Sequence, residues 1–264
     1  MNHHIVIIHG IGKAKAGYSL GLAESIEREY KNLSSGKENA CTLIFHEVLW
    51  DDVVSFEQAR LAQVLRKGFG LAVRETAQNL FMKIITLPKA IINALRTDIA
   101  AEYIEDVLSY REKTAYALIH GRLADVLAAI ARENLPAQLS IVAHSLGTVI
   151  ASDHIYDCQK SGGTLAGQVA FKNFFTLGSP IALFALQYGG VEIFKSPARL
   201  EDPSGVWLNI FDKDDPVGYP LKTLNDTYNT AVTGDVLVST GIFGVSHMRY
   251  FESKAVQRLI AGRL

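Results

Sequence analysis

The chain has 264 residues, of which 48% are hydrophobic, and its 26 basic residues nearly balance 27 acidic ones. This length and hydrophobic content suffice for one sizeable core, so we expect a single domain over residues 1–264. A net charge of −1 provides no overall attraction to nucleic acid or to anionic membranes. We therefore expect no nucleic-acid partner, and any membrane attraction must be local.

The cysteines and the N-terminal segment favour a cytoplasmic protein. Cys41 and Cys158 lack the spacing of a metal site or of a disulfide framework, which favours a reducing compartment. The first predicted strand begins almost at residue 1, without the basic region, long apolar segment and cleavage site of a secretory signal. Charged residues interrupt the longest apolar stretches, so no membrane-spanning helix is expected.

Residues 5–8 form a continuous, β-branched apolar run, which is typical of a strand buried on both faces in a parallel sheet. The loop His9-Gly10-Ile11-Gly12 ends this strand, and by themselves its glycines indicate only a sharp exit. The loop lacks the third glycine of a dinucleotide-binding motif, and no Lys-Ser/Thr pair closes a phosphate loop. We therefore expect no cofactor.

An amphipathic pattern predicts a helix over residues 17–33, and residues 41–49 predict the next strand. From about residue 50 to residue 110 the pattern instead predicts a long helical insertion. Within it, residues 60–96 carry seven basic residues and a single acidic one, Glu75. Such a segment can be a lid over an apolar pocket or a peripheral membrane contact on anionic lipid. The alternative is a helical pair that packs on the core or on a second copy of the chain, as in a homo-oligomer.

Further helices are predicted over residues 98–110 and 114–134. Residues 140–143 then predict a strand, and residues 146–159 predict the helix that follows it. Ser145 stands at the turn between these two elements.

The residues two before and two after Ser145 are Ala143 and Gly147, and both are small. A tight strand-to-helix turn requires this, because the incoming strand and the outgoing helix nearly touch there. In such a turn the serine has a strained backbone that exposes its hydroxyl, and the N–H of the next residue, Leu146, can donate to a developing oxyanion. The pattern therefore predicts that Ser145 is a nucleophile.

Residues 171–177 predict another strand, which ends at Gly178-Ser179-Pro180 on the expected active-site edge of the sheet. A smaller insertion follows at about residues 179–203, and we expect it to line an acyl pocket. Ser179 is not expected to be a nucleophile, because no small-residue turn surrounds it.

A serine nucleophile needs a histidine base and a carboxylate that orients the base. Asp212, Asp214 and Asp215 are candidate acids in a turn that ends an apolar run. This turn lacks the glycine and the terminal glutamate of a calcium loop, so we expect no metal. His247 lies in a loop ahead of a closing helix predicted over residues 249–264, and it is the candidate base. The chain order Ser, Asp, His is the order found in α/β-hydrolases.

Four motifs together resemble the α/β-hydrolase superfamily, on its lipase and esterase side. They are the stretch at residues 143–148, the His-Gly loop at residues 9–12, the turn Asp215-Pro216-Val217 and the pair Ser246-His247. The likeness covers most of the chain apart from the two insertions, and Ala143 replaces the first glycine of the G-x-S-x-G pattern.

The resemblance implies an α/β-hydrolase fold, with a mostly parallel central sheet, helices on both faces and a helical insertion. It aligns Asp215 with the acid of a catalytic triad that also contains Ser145 and His247. It also implies that the N–H groups of Ile11 and Leu146 form the oxyanion hole.

The resemblance further implies a serine hydrolase that cleaves carboxylic esters through an acyl-enzyme. The insertion favours a small-molecule ester with an apolar acyl chain, or a lipid ester, as the substrate. Thioesterase or acyltransferase activity would use the same residues and stays open. The remaining alternative is a non-catalytic scaffold that docks on membranes through residues 60–96.

Overall fold

The computed structural model describes residues 1–12, 14–35, 40–53, 110, 113–133, 136–187, 190, 192, 194, 197–242 and 245–264. The predicted long insertion, including its basic segment at residues 60–96, lies outside the described residues except at its two ends. Its roles as a lid, as a membrane contact or as a contact between copies of the chain stay predictions.

The described strands form a single sheet. They are β1 (Asn2–Ile8), β2 (Thr42–Val48), β3 (Ala137–His144), β4 (Ala170–Leu177), β5 (Trp207–Asp212) and β6 (Gly234–Val238). All neighbouring pairs are parallel, and the order across the sheet is β2-β1-β3-β4-β5-β6. The direction of travel therefore reverses at β1. In a sheet of this type, ligands bind at the carboxyl ends of the strands beside such a reversal.

Helices cover both faces of this sheet. They are α1 (Leu20–Ser34), α2 (Lys113–Ala131), α3 (Leu146–Lys160), α4 (Ile181–Gln187), α5 (Asp226–Ala231) and α6 (Lys254–Ala261). Val6 and Ile8 of β1 belong to a core cluster with α2 and α3, whereas Ile5 and Ile7 belong to a second cluster with α1 and α6. Alternate side chains of a strand point to opposite faces, so the apolar run of β1 contributes to both cores. The predicted α/β-hydrolase fold is confirmed.

Four elements differ from the sequence-based expectation. The predicted closing helix begins only at Lys254, because residues 249–252 form turns and irregular structure instead. Strand β6 and the helices α4 and α5 were not predicted. Strand β6 lies at the edge of the sheet and none of its residues is fully buried, so it lacks the apolar run by which the inner strands are recognised.

Within the described part of the chain, α2 is long and apolar enough to cross a membrane by length and composition alone, although no such helix was expected from the sequence. In this structure α2 packs on the sheet. Its buried apolar residues are Ala115, Ile119, Leu123, Leu127 and Ile130. The core helix of a globular domain can meet the same length and composition criteria. Both cysteines, Cys41 and Cys158, are free.

Candidate active site

Ser145 lies at the turn between β3 and α3, with φ 52° and ψ −129°. Among the described residues it is the one non-glycine with a positive φ. Such a backbone typically costs about 1–3 kcal/mol and persists only where neighbouring contacts hold it. Here the Ser145 N–H donates to the carbonyl of Leu177 at 2.9 Å, and the Thr148 hydroxyl donates to the carbonyl of Ser145 at 2.7 Å. The strained turn is therefore tied to both β4 and α3.

Two glycines make this turn possible. A Cβ atom on Gly147 would lie 2.4 Å from the carbonyl oxygen of His9, and one on Gly10 would lie 2.5 Å from Cβ of Ser145. Both distances are far below van der Waals contact, so neither position accepts a side chain without displacement. The loop after β1 thus lies directly against the serine turn after β3. The adjacency of β1 and β3 in the sheet brings these two segments together.

The structure brings Ser145, His247 and Asp215 into one row. Ser145 Oγ lies 2.8 Å from His247 Nε2. On the other side of the ring, His247 Nδ1 lies 2.9 Å from Asp215 Oδ2 and 3.0 Å from Oδ1. A carboxylate accepts, so Nδ1 carries the proton and Nε2 is free to accept the serine proton. This is the arrangement of a nucleophile, a base and an acid that orients the base.

The Asp215 carboxylate is buried and has further donors besides His247. They are the N–H of Val217 at 2.8 Å and the hydroxyl of Tyr250 at 2.8 Å. Burial alone raises the pKa of Asp215, but the hydrogen bond and charge of His247, together with Val217 and Tyr250, hold the pKa below its usual value. The carboxylate is therefore ionised at neutral pH and can stabilise a positively charged imidazole.

The other two candidate acids hold the surrounding loops. Asp212 accepts hydrogen bonds from the backbone and the hydroxyl of Thr240, at 2.6 and 2.8 Å, and from the N–H of Asp214 at 2.9 Å. The backbone carbonyl of Asp214 accepts the hydroxyl of Ser246 at 2.8 Å. Asp212 thus ties the end of β5 to the segment after β6, while Asp215 faces His247.

The two predicted oxyanion donors lie at the ends of neighbouring strands. Leu146 is the first residue of α3, so its N–H has no partner within the helix and lies at the positive end of the helix dipole. Ile11 lies in the loop whose Gly10 touches Ser145. Among the described residues, the N–H of Ile11 has no hydrogen-bond acceptor. Two N–H groups that have no acceptor among the described residues suit a negatively charged oxygen near Ser145.

His144 is a supporting residue whose role the sequence did not indicate. Its Nε2–H donates to the backbone carbonyl of His247 at 2.7 Å, and the two ring centroids are 5.0 Å apart. Burial, with a smaller contribution from His247, lowers the pKa of His144 to about 3. The ring is therefore neutral at neutral pH and holds the backbone of the base. The signal in the sequence is its position next to Ser145, which does not reveal a contact 103 residues away.

Ser179 does not contact a base in this structure. Its hydroxyl lies 2.8 Å from that of Thr148 and accepts the N–H of Ile181 at 3.3 Å. These contacts cap the start of α4, in keeping with the expectation that Ser179 is not a nucleophile. Among the described residues, no group of three or more His, Cys, Asp or Glu side chains could hold a metal ion.

One comparison with known proteins covers the part of the chain that contains Ser145. Residues 110–183, which include β3, Ser145 and β4, match the model of a family described as "Putative serine esterase (DUF676)". The chain has the α/β-hydrolase fold, and this part of it resembles a family of serine esterases. This match supports a serine hydrolase, and it extends to neither Asp215 nor His247.

Other comparisons add little. No curated protein matches the chain. Among solved structures, it is similar to one titled "The crystal structure of the gene lin2722 products from Listeria innocua", at 11% identity and a TM-score of 0.42. That similarity covers 100% of this chain and 94% of the other.

Proposed function

We propose that this α/β-hydrolase cleaves carboxylic esters through an acyl-enzyme, with Ser145 as nucleophile, His247 as base and Asp215 as acid. The observation that carries the proposal is the continuous row from Ser145 Oγ to His247 at 2.8 Å and from His247 to Asp215 at 2.9 Å. The family match over residues 110–183 supports the same chemistry.

The reaction follows from the positions of the proton donors and acceptors. His247 Nε2 takes the proton of the Ser145 hydroxyl as the serine oxygen attacks the ester carbonyl. The carbonyl oxygen becomes negatively charged and is held by the N–H groups of Ile11 and Leu146. Collapse of this intermediate breaks the bond to the alcohol, which leaves with the proton from His247. A water molecule then loses a proton to His247 and attacks the acyl group, and the acid is released as His247 returns that proton to the Ser145 oxygen.

An apolar acyl chain suits the surface beside the base. Ile242 and Met248, in the segment that carries His247, are 76% and 52% exposed, and Val245 is also exposed. Exposed apolar side chains in the segment that carries His247 favour an apolar ligand. We expect p-nitrophenyl esters of medium-chain acids to be hydrolysed faster than the acetate. A steep preference for the acetate would contradict an apolar acyl site.

The decisive experiment labels the nucleophile. A fluorophosphonate probe should react with the wild-type protein, and Ser145→Ala should abolish both labelling and ester hydrolysis. Ser179→Ala serves as the matched control, because Ser179 is a buried serine near the same edge of the sheet that contacts Thr148 instead of a base. The Ser179→Ala variant should still be labelled at Ser145. Labelling that survives Ser145→Ala would reject the proposed function.

A further inference from the structure

The imidazole of His9 forms a hydrogen bond with the peptide group that joins Gly10 to Ile11. Its Nδ1 lies 2.7 Å from the carbonyl oxygen of Gly10. Because a carbonyl oxygen can only accept, Nδ1 is the protonated nitrogen. The described chain contains no cis peptide bond, so the Gly10 carbonyl and the Ile11 N–H point in opposite directions within one rigid plane. Holding the carbonyl therefore sets the direction of the Ile11 N–H.

The ring of His9 is itself held in place. It stacks on Trp50 with centroids 5.0 Å apart and planes 4° apart, and the ring of Tyr18 meets it edge-on, also at 5.0 Å. The indole N–H of Trp50 donates to the carbonyl oxygen of His9 at 3.1 Å. Side chains thus hold two consecutive carbonyl groups, those of His9 and Gly10, at the point where β1 ends.

The hydrogen bond from His9 to the Gly10 carbonyl, which we call the clamp, acts on the peptide group that carries the Ile11 N–H. Among the described residues, the Ile11 N–H donates no hydrogen bond. The neighbouring Gly10 is so close to Ser145 that a Cβ atom on it would lie 2.5 Å from Ser145 Cβ. A small rotation of this peptide group would therefore move the donor relative to any carbonyl bound at Ser145.

His9 does not serve as a proton carrier in this arrangement. It is 6% exposed, and its Nε2 lies 3.7 Å from Asp51 Oδ1, beyond hydrogen-bonding distance. Burial lowers the pKa of His9, and the Gly10 carbonyl, Asp51 and Glu47 offset this only in part. The ring is neutral at neutral pH, which leaves the proton on Nδ1 where the Gly10 carbonyl needs it.

We propose that His9 is a positioning residue that aims the Ile11 N–H at the oxyanion, through its hydrogen bond to the Gly10 carbonyl. This inference rests on the proposed function. His9 touches neither the substrate nor the reacting atoms, and the donor itself remains when His9 is replaced. Its loss should therefore slow formation of the tetrahedral intermediate and leave binding of the uncharged ester unchanged.

Two substitutions separate the hydrogen bond from the packing. His9→Phe retains an aromatic ring that can stack on Trp50 but removes the donor. His9→Asn removes the ring but places an amide nitrogen where Nδ1 lies. His46→Phe is the control, because His46 is a partly buried histidine of β2 that contacts His4.

We expect His9→Phe to lower kcat, and the second-order rate of fluorophosphonate labelling of Ser145, by about 10- to 100-fold. Complete loss of one oxyanion donor typically costs about 10²–10³-fold, and a misplacement of about 1 Å can cost 10²-fold. KM should change by less than about threefold, since only a transition-state contact is weakened. His9→Asn should recover most of the lost rate, and His46→Phe should match the wild type.

Several results would overturn the proposal. They are a normal rate for His9→Phe, an equally slow His9→Asn, or a rise in KM at unchanged kcat. Thermal melting shows whether each variant is folded.

If wild-type Ser145 is not labelled, the proposed function fails on its own, and the hydrogen bond is judged separately. Nitrogen NMR of the wild type should then find the His9 proton on Nδ1 and protected from exchange, and a proton on Nε2 would refute the clamp. If His9→Phe does not fold, this spectrum of the wild type is the test of the hydrogen bond.

Discussion

The hydroxyl of Tyr250 joins two parts of the candidate active site. It accepts the N–H of Asp212 at 2.9 Å and donates to Asp215 Oδ2 at 2.8 Å. Tyr250 is fully buried, and burial together with the Asp215 charge raises its pKa, so the phenol keeps its proton. Since only a protonated phenol can donate to the carboxylate, Tyr250 fixes the direction in which Asp215 faces His247.

Tyr250→Phe should therefore weaken both stability and catalysis. We expect the free energy of unfolding to fall by about 1–3 kcal/mol, because the buried Asp212 N–H loses its acceptor. We expect kcat to fall by about tenfold, much less than the roughly 10⁴-fold that loss of the triad carboxylate's charge costs. Denaturant unfolding and ester hydrolysis measure the two effects.

Tyr228→Phe is the matched control for this substitution. Tyr228 is also fully buried, but among the described residues its hydroxyl has no hydrogen-bond partner. Its removal should leave kcat unchanged and stability equal or higher, since no hydrogen bond is lost. Equal losses in both variants would show that Tyr250 acts only through packing.

At the scale of elements, the site depends on how closely α3 approaches the loop after β1. Gly147 lies in the first turn of α3, and a Cβ atom there would lie 2.4 Å from the carbonyl oxygen of His9 and 3.0 Å from the side chain of Ile8. The first of these is a backbone atom, so it cannot turn aside as the end of a flexible side chain can. A side chain at residue 147 must push the helix away from β1.

Gly147→Ala should lower the free energy of unfolding by about 1–3 kcal/mol, as overpacking does, and should reduce fluorophosphonate labelling of Ser145. Gly121→Ala is the matched control, because Gly121 lies within α2 and a Cβ atom there meets nothing within 4 Å. That variant should be more stable by about 0.5–1 kcal/mol, since alanine favours a helix over glycine. If both variants were destabilised alike, the contact at residue 147 would not be the cause.

At the scale of the whole molecule, stability should depend on a carboxyl group on α3. Asp153 accepts the hydroxyl of Tyr110 at 2.7 Å, and that hydroxyl lies 3.0 Å from His120 Nε2. Burial raises the pKa of Asp153 from 3.8 to about 6, with Asp157 adding to the rise and the Tyr110 hydrogen bond opposing it. The folded protein therefore binds this proton more tightly than the unfolded chain does.

The sign of the pH effect follows from this difference. The stabilisation is complete below about pH 4 and is lost as pH rises through about 6, by at most about 3 kcal/mol. Asp153→Asn keeps an acceptor for Tyr110 and should not lose stability over this range. Denaturant unfolding between pH 4 and pH 7 measures this, with the exposed Asp125→Asn as the control for losing one charge. Parallel pH curves for the wild type and Asp153→Asn would contradict the prediction.

The sequence by itself determined the inner strands and the serine turn. The apolar run at residues 5–8 and the small residues Ala143 and Gly147 are local patterns, and local patterns set backbone conformation and burial. They were sufficient to predict β1 and the strand–turn–helix around Ser145. The edge strand β6 escaped prediction because partial exposure removes the apolar run.

Only the tertiary structure decided which distant side chains meet. Asp212 and Asp215 lie in one turn, and in the sequence only the resemblance at Asp215-Pro216-Val217 favoured Asp215. In the fold, the parallel packing of β5 and β6 directs Asp212 to Thr240 and leaves Asp215 for His247. The roles of His9, His144 and Tyr250 likewise depend on loops from separate strands converging at one edge of the sheet. Hydrogen bonds between such loops depend on strand order and register, which are properties of the folded chain and not of any short segment.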